Sequence, residues 1–292
     1  MTFSATDAAF EGFRLTRRKP LAVAMWGLFY LVMMAAFFAL IGGAFISLMA
    51  EMERLQSVPE PSFEEFQALL PLYGTMMGVL PLAMIFGAVL SAAVARAVLR
   101  PAESAFGYLR LGMDEARVFV VSLVLGILFG VVSLIGWAVV GFVIGMAIAT
   151  EQGLLWLVAV IAGLGVTAGL IWLAVRLSLA VPIVVGERRF AIFDSFGLTK
   201  GRFWPLLGMA IIAVVMSIIV SLLGSIALTP ITLMTGGIQE LAAFEGAALQ
   251  EVLRAAAPAV IAYLVINGIL SALQLAIMYA PFAAAYRDIK AG

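Results

Sequence analysis

Charged residues are confined to short intervals of this chain. Between them run six stretches without a single Asp, Glu, Lys or Arg: Pro20–Ala50, Phe66–Ala95, Val118–Thr150, Gln152–Val175, Phe203–Gln239 and Ala255–Tyr286. They are 24 to 37 residues long. A hydrocarbon core about 30 Å thick needs roughly 20 apolar residues of helix. Backbone groups in lipid must find partners within their own segment, so each stretch is predicted to be a membrane-spanning helix. The pattern therefore predicts an all-α integral membrane protein, a single domain over residues 1–292 with six spans. The first run has 31 residues, far more than the roughly 7–15 of a cleaved signal core, so it is expected to be retained.

The charges between the spans predict orientation. Arg14, Arg17, Arg18 and Lys19 precede the first span; Arg96, Arg100, Arg110 and Arg117 follow the second. Arg176, Arg188, Arg189, Lys200 and Arg202 follow the fourth, and Arg287 and Lys290 the sixth. The opposite side receives only Arg54 and Arg254, beside nine Glu residues. Fifteen of the seventeen basic residues thus fall on one side. The positive-inside rule assigns that side, with both termini, to the cytoplasm and makes this a bacterial inner-membrane protein. A formal net charge of zero conceals this asymmetry.

Composition excludes several chemistries. Hydrophobic residues make up 64% and charged residues 12% of the chain, the latter about half the usual share. Cys and His are both absent. With them go disulfides, thiolate nucleophiles, the commonest general base and the commonest metal ligand. No P-loop, GxSxG, HExxH or CxxC is present, so neither ATP hydrolysis nor zinc hydrolysis is expected. No cofactor and no metal is expected.

A recurring unit precedes each odd-numbered span. The segments read AFEGFRLTRRKPLAVAMWG, AFGYLRLGMDEARVFVVSL and IFDSFGLTKGRFWPLLGMA. Setting Phe10, Phe106 and Phe193 together also aligns Leu15, Leu111 and Leu198, with steps of 96 and 87 residues in both triplets. The first and third copies also match Glu11 with Asp194, Phe13 with Phe196, and Thr16 with Thr199. The expectation is three repeats of an amphipathic interface helix plus a transmembrane hairpin, approximately 1–99, 100–187 and 188–292. Phe3, Phe10 and Phe13, and Phe193, Phe196, Lys200 and Phe203, recur near helical spacing. Such helices lie along the interface with aromatics in the acyl boundary and bases near phosphates. They turn into the membrane at Pro20 and near Phe203–Pro205. The even spans close with Arg96, Arg176 and Arg287 at or near their inner ends.

Outside the spans, Glu51–Glu65 with Pro59 and Pro61 reads as a surface turn leading to a short helix. IQELAAFEGAALQEVLRAAA reads as a helix on the outer face, between the breakers Gly236–Gly237 and Pro258. Only a few residues around Glu151 join spans three and four, so those two are an antiparallel pair. The block VRLSLAVPIVVGERRFAIFDSFGLTKGRFWPLLG resembles the membrane domain found beside some bacterial glycerophosphodiester phosphodiesterases. The words LTKGRFWPLLG and FEGFRLTRRKPLA carry that likeness. The resemblance implies the membrane module alone. The family's catalytic barrel works with His and clustered carboxylates, and this chain has no His.

Three groups of residues are candidates for function. The first is basic: Arg14, Arg17, Arg18, Lys19, Arg188, Arg189, Lys200 and Arg202 are placed to bind anionic lipid, at roughly 1 kcal/mol per charge. The same charges also set topology. Glu11, Asp114, Glu115 and Asp194 lie among them as expected salt-bridge partners. The second is Arg176, an intramembrane or interface charge. If its span ends at Gly186 it lies ~15 Å deep, where charges are costly and functional; if Gln152–Val175 already spans, it lies at the inner interface. The third is a pair of polar stripes, Ser217, Ser221 and Ser225 on the fifth span and Asn267, Ser271 and Gln274 on the sixth. They serve interhelical hydrogen bonding at ~0.6–2 kcal/mol each, or line a polar path; packing is the expectation. The pairs Gly74/Gly78, Gly126/Gly130, Gly141/Gly145 and Gly165/Gly169 are read as close helix contacts.

The reading is a non-enzymatic membrane protein that organises or senses anionic lipid, or scaffolds a partner. Membrane lipids, a protein partner or a second copy are the expected partners, not nucleic acid. The alternative is a transporter or permease subunit for an amphipathic or lipid-like solute. Transporters usually show two-fold repeats and helices broken at the midplane, against a three-fold repeat with breaks near the ends here.

Overall fold

The structure is a computed structural model that describes residues 3–56, 62–63, 67, 69–234 and 246–291. Among the described residues all regular structure is helical, and six helices are long and apolar enough to cross a membrane. The protein is a multi-pass membrane protein. Two short helices, α1 (Ala5–Ala9) and α2 (Glu11–Arg18), lead to α3 (Pro20–Gln56), which begins with Pro20 at a position where its missing N–H costs nothing. The second span is divided into α4 (Leu70–Gly78) and α5 (Leu80–Leu99). Pro81 cannot donate to the preceding turn, and the break falls at Val79. A 3₁₀ turn at Ala105–Tyr108 precedes α6 (Met113–Thr150). The two residues Glu151 and Gln152, the first left-handed at φ 55°, return the chain into α7 (Gly153–Leu177). After α8 (Ala180–Glu187) and α9 (Asp194–Leu198) come α10 (Phe203–Met234) and α11 (Gly246–Ala291).

Several expectations about loops are corrected. Glu51 and Arg54 continue α3 instead of opening a turn, held by an i,i+3 ion pair of 2.5 Å. Gly246–Ala257 does not form a separate surface helix; α11 runs straight through Pro258. Residues 238–245 of that expected helix, and Glu60, Glu64 and Glu65, lie outside the described residues. The middle interface element is a 3₁₀ turn rather than an amphipathic helix. Phe106, Gly107 and Tyr108 all have φ between 50° and 66° there, which no α-helix accommodates. The Trp26 indole fixes this turn by donating to the Gly107 carbonyl at 2.7 Å.

The helices form a ring. Neighbours in the chain pack in sequence, and α11 closes the ring against α3 while also touching α2, α5 and α10. The core lies at one end of that ring. In α5 the buried run is Ala88–Val98, in α6 it starts with Val118 and Val121, in α10 with Leu206 and Met209, and in α11 it extends from Ala272 to Tyr286. In each case this is the base-rich end. Toward the other end α3, α6, α7 and α10 expose Phe38, Phe45, Ile135, Phe142, Trp156, Leu164, Leu222 and Ile226. A small satellite of Leu48, Leu55 and Leu69 packs there.

Close helix contacts come from other glycines than the GxxxG pairs. A Cβ on any of Gly74, Gly78, Gly126, Gly130, Gly141, Gly145, Gly165 or Gly169 would meet nothing within 4 Å. One on Gly12 would fall 2.6 Å from the Ala276 carbonyl oxygen, and one on Gly27 2.9 Å from that of Gly268. The motif glycines lie on helix faces without a neighbour; α6 and α7 meet instead at Gly136, where a Cβ would fall 2.7 Å from Val166.

Candidate functional site

At the base-rich end, each even span finishes in an arginine that reaches the next short element. Arg96, 1% exposed, donates to the Tyr108 carbonyl and to Glu115, with Asp114 3.7 Å away. Arg100 pairs with Asp114 and, at 3.3 Å, with Glu103. Glu103 also receives Arg110 at 3.1 Å and Arg188 at 2.8 Å, tying the 100–112 loop to the end of α8. Arg176 lies in the last turn of α7, at the base-rich end. Its guanidinium lies against the paired rings of Trp172 (5.7 Å) and Phe196 (5.5 Å), themselves 6.1 Å apart, and donates to Thr199 Oγ1 at 3.2 Å. Ser195, buried on α9, donates to the Arg176 carbonyl at 2.7 Å. Arg287 approaches the buried Glu11 of α2 at 3.9 Å. Trp26, Tyr108 and Ser195 were not singled out in the sequence, where Arg96 stood only as the arginine closing its span and Thr199 only as a repeat position aligned with Thr16.

Helix α8 forms the floor of the ring. The chain breaks at Ser178–Leu179, where the Leu179 N–H finds Ser195 Oγ at 3.3 Å in place of a helical carbonyl. Pro182 occupies the third position of α8, within the first turn whose N–H groups have no helical acceptor anyway. Ile183, Val184 and Val185 are fully buried; α8 packs mainly against α5 and α6, with α11 and the interface helix α9 also in contact. Glu187 at its end accepts from Tyr286 at 2.9 Å and Lys290 at 2.7 Å.

The lipid-binding candidates divide in two. Arg14 is held by Glu11 at 2.9 Å and by the Asp7 carbonyl. Lys19 donates to the Ala97 carbonyl at 3.2 Å and to Tyr108. Arg189 bridges Asp194 and Glu187, each at 2.6 Å, and the hydrogen bond to Asp194, then that to Glu187, raises its pKa above the usual value. Arg17, Arg18 and Lys200, by contrast, are exposed and meet no carboxylate among the described residues, and Arg202 bonds only the Leu198 carbonyl at 3.3 Å. Exposed Phe10, Phe13, Phe193 and Trp204 flank these four bases. Helix α1, just before the first pair of bases, packs against α10, just after the second, so both pairs lie at the base-rich end.

The polar stripes also divide. Ser221 and Ser225 are exposed, and Ser225 Oγ merely returns to the Ser221 carbonyl at 3.0 Å. Ser217, Ser271 and Gln274 instead line a common cavity of about 610 Å³ above α8, to which helices from all six spans contribute. Asn267 accepts from Ser271 Oγ at 3.2 Å within its own helix. The α10–α11 contact is made by Met216 and Val220 with Ile277, and by Gly224 against Leu270. Among the described residues no group of three or more carboxylates is placed to hold a metal ion.

No protein-family model, no curated protein and no solved structure matches the chain.

Proposed function

We propose that this is a non-enzymatic, multi-pass inner-membrane protein that organises or senses anionic lipid at its base-rich, cytoplasmic face. What carries the reading is the set of four exposed bases that meet no carboxylate among the described residues, Arg17, Arg18, Lys200 and Arg202, beside four exposed aromatics. Aromatic side chains enter the acyl boundary while adjacent bases meet phosphate, each charge adding about 1 kcal/mol at the surface. Arg14, Lys19 and Arg189 serve the fold in this reading, since their charges are already answered within the chain. Replacing Arg17, Arg18, Lys200 and Arg202 with Gln is expected to lower co-purified anionic lipid several-fold while leaving thermal unfolding in detergent unchanged. Undiminished lipid in a folded variant would refute the proposal. Orientation has its own test: a single Cys at Ser4 should resist an impermeant reagent in intact cells and one at Ser62 should react.

The repeat belongs to the same proposal. Arg96 reaches the second interface element, Arg176 the third and Arg287 the first, which would make the ring a closed three-fold array. Thr16 and Thr199, aligned in the sequence, each donate to the carbonyl four residues earlier, at 2.9 and 2.7 Å. The resemblance to the phosphodiesterase-associated membrane domain is retained as an inference from the sequence words alone.

One observation favours a second reading. Ser217, Ser271 and Gln274 meet on a central cavity, as a permease for an amphipathic solute would require. The chain has no Cys, so single Cys residues at Ser217 and Ser271 can be probed without background. Reaction of both with small hydrophilic thiol reagents would promote transport; inertness of both favours the lipid-organising reading.

A further inference from the structure

The central cavity carries chemistry that the basic rim does not. Its lining includes no Asp, Glu, Lys or Arg, so an ionised group inside would be unpaired in a medium that does not solvate it. Polar groups are nevertheless present, and four of them are unspent. The Gln274 amide and the hydroxyls of Ser217, Tyr30 and Tyr279 make no hydrogen bond among the described residues. An amide brings two donors and an acceptor, and a hydroxyl one donor and two lone pairs. Leaving them unmatched away from water costs free energy, which a guest with complementary groups removes. Most of the remaining wall is apolar, with Leu125, Phe129, Leu275 and Phe282 among its residues.

Size and access narrow the guest. About 610 Å³ lies within the usual range of small-ligand sites. At roughly 30 Å³ per water-sized unit it holds about twenty non-hydrogen atoms, one acyl chain with its ester rather than a whole two-chain lipid. On the base-rich side α8 and the close-packed helix ends shut the cavity. On the other side the lining helices continue into exposed apolar residues: Ile218 and Leu222 on α10, Leu264 and Ile269 on α11, Ile171 on α7. A guest therefore enters from the acyl region of the bilayer.

We infer that this cavity binds an uncharged acylglycerol, with one acyl chain against the apolar wall and the glycerol ester against Gln274 and Ser217. The ester carbonyl accepts from the Gln274 N–H or the Ser217 O–H, and a glycerol hydroxyl donates to the Gln274 carbonyl. This goes beyond the rim reading and does not depend on it.

The probe is a monoacylglycerol carrying a diazirine in its acyl chain, photolysed with the full-length protein in detergent. Label is expected on cavity residues such as Leu125 or Met278 and is competed by unlabelled monoacylglycerol but not by hexadecane. Gln274→Leu should weaken the competition by roughly three- to tenfold, the value of one lost hydrogen bond. Ala95→Trp, which fills the cavity, should abolish cavity label; Ser217→Ala supplies a milder second variant should the Trp form fail to fold. The Gln variant of the four rim bases should label normally, which separates this site from the rim. Label confined to exposed faces, equal competition by hexadecane, or unchanged labelling in Gln274→Leu would each overturn the inference.

Discussion

The two ends of this helix ring are built from equally apolar sequence and behave differently. At the base-rich end the buried residues are predominantly small: Ala92, Ala93, Ala95 and Ala97 on α5, and Ala272, Ala276, Ala280 and Ala283 to Ala285 on α11. Small side chains let helix backbones approach, and in lipid that approach, with its dispersion contacts and hydrogen bonds, drives association. Toward the other end the helices carry Phe38, Phe45, Phe142, Trp156 and Leu222, all exposed. Acyl chains are as apolar as these residues, so no hydrophobic force draws the helices together there. Hydrophobicity places a segment in the membrane; side-chain size decides where the segments touch.

The largest test of this contrast removes a charge at each end. Glu115→Ala removes the carboxylate hydrogen-bonded to the buried Arg96 guanidinium and leaves it only the more distant Asp114 and Glu103, at an expected cost of about 3 kcal/mol. Glu51→Ala at the opposite end breaks the half-exposed pair with Arg54, at an expected cost below about 1 kcal/mol. Thermal unfolding of the purified variants in detergent measures both, and equal losses would erase the distinction. The double variant Arg96→Met with Glu115→Leu should regain most of the lost stability, because it also removes the desolvated charges.

A smaller effect is expected from added volume. Gly12→Val drives a side chain into the backbone of α11, where a Cβ would lie 2.6 Å from Ala276 O and Ile277 Cα, and should cost about 1–3 kcal/mol or more. Gly141→Val and Gly165→Val enter open space and should stay within about 0.5 kcal/mol. Trp26→Phe follows. Loss of its hydrogen bond to Gly107 should cost about 0.5–1.5 kcal/mol, whereas Trp156→Phe, at a residue 48% exposed, should change nothing measurable. The smallest effect is Asn267→Leu. Its one hydrogen bond is within its own helix, so a loss of about 0.6 kcal/mol is expected. A loss of several kcal/mol would mean that Asn267 links helices after all.

The hairpin turn at Glu151, the helix starts at Pro20 and Phe203, and the six spans were legible because they follow from local rules. Proline and a short polar break act on the few residues around them, and a charge-free run needs no partner to prefer lipid. The GxxxG pairs misled because spacing along a helix says nothing about whether another helix stands opposite. Glu115 was legible as a salt-bridge partner, but not as the partner of a buried Arg96, nineteen residues away. The polar stripes were visible as stripes. Their division into exposed Ser221 and Ser225 and cavity-lining Ser217, Ser271 and Gln274 was not, since that depends on helices α3, α5, α6 and α7 standing around them.

The sequence by itself therefore determined that the chain is a six-span, all-helical membrane protein with its bases gathered at one end. Those properties are sums over single residues: transfer free energy for each span, and position between spans for each charge. Only the tertiary structure decided that the buried core gathers at the base-rich end, while toward the other end α3 meets α4 and α6 meets α7 as hairpin partners. It alone decided that Arg96 is buried, that α8 floors a cavity, and which of the bases are left for lipid. Each of those depends on pairs of surfaces meeting across large separations in the chain, and a pairwise fit is not contained in the pattern of either surface alone.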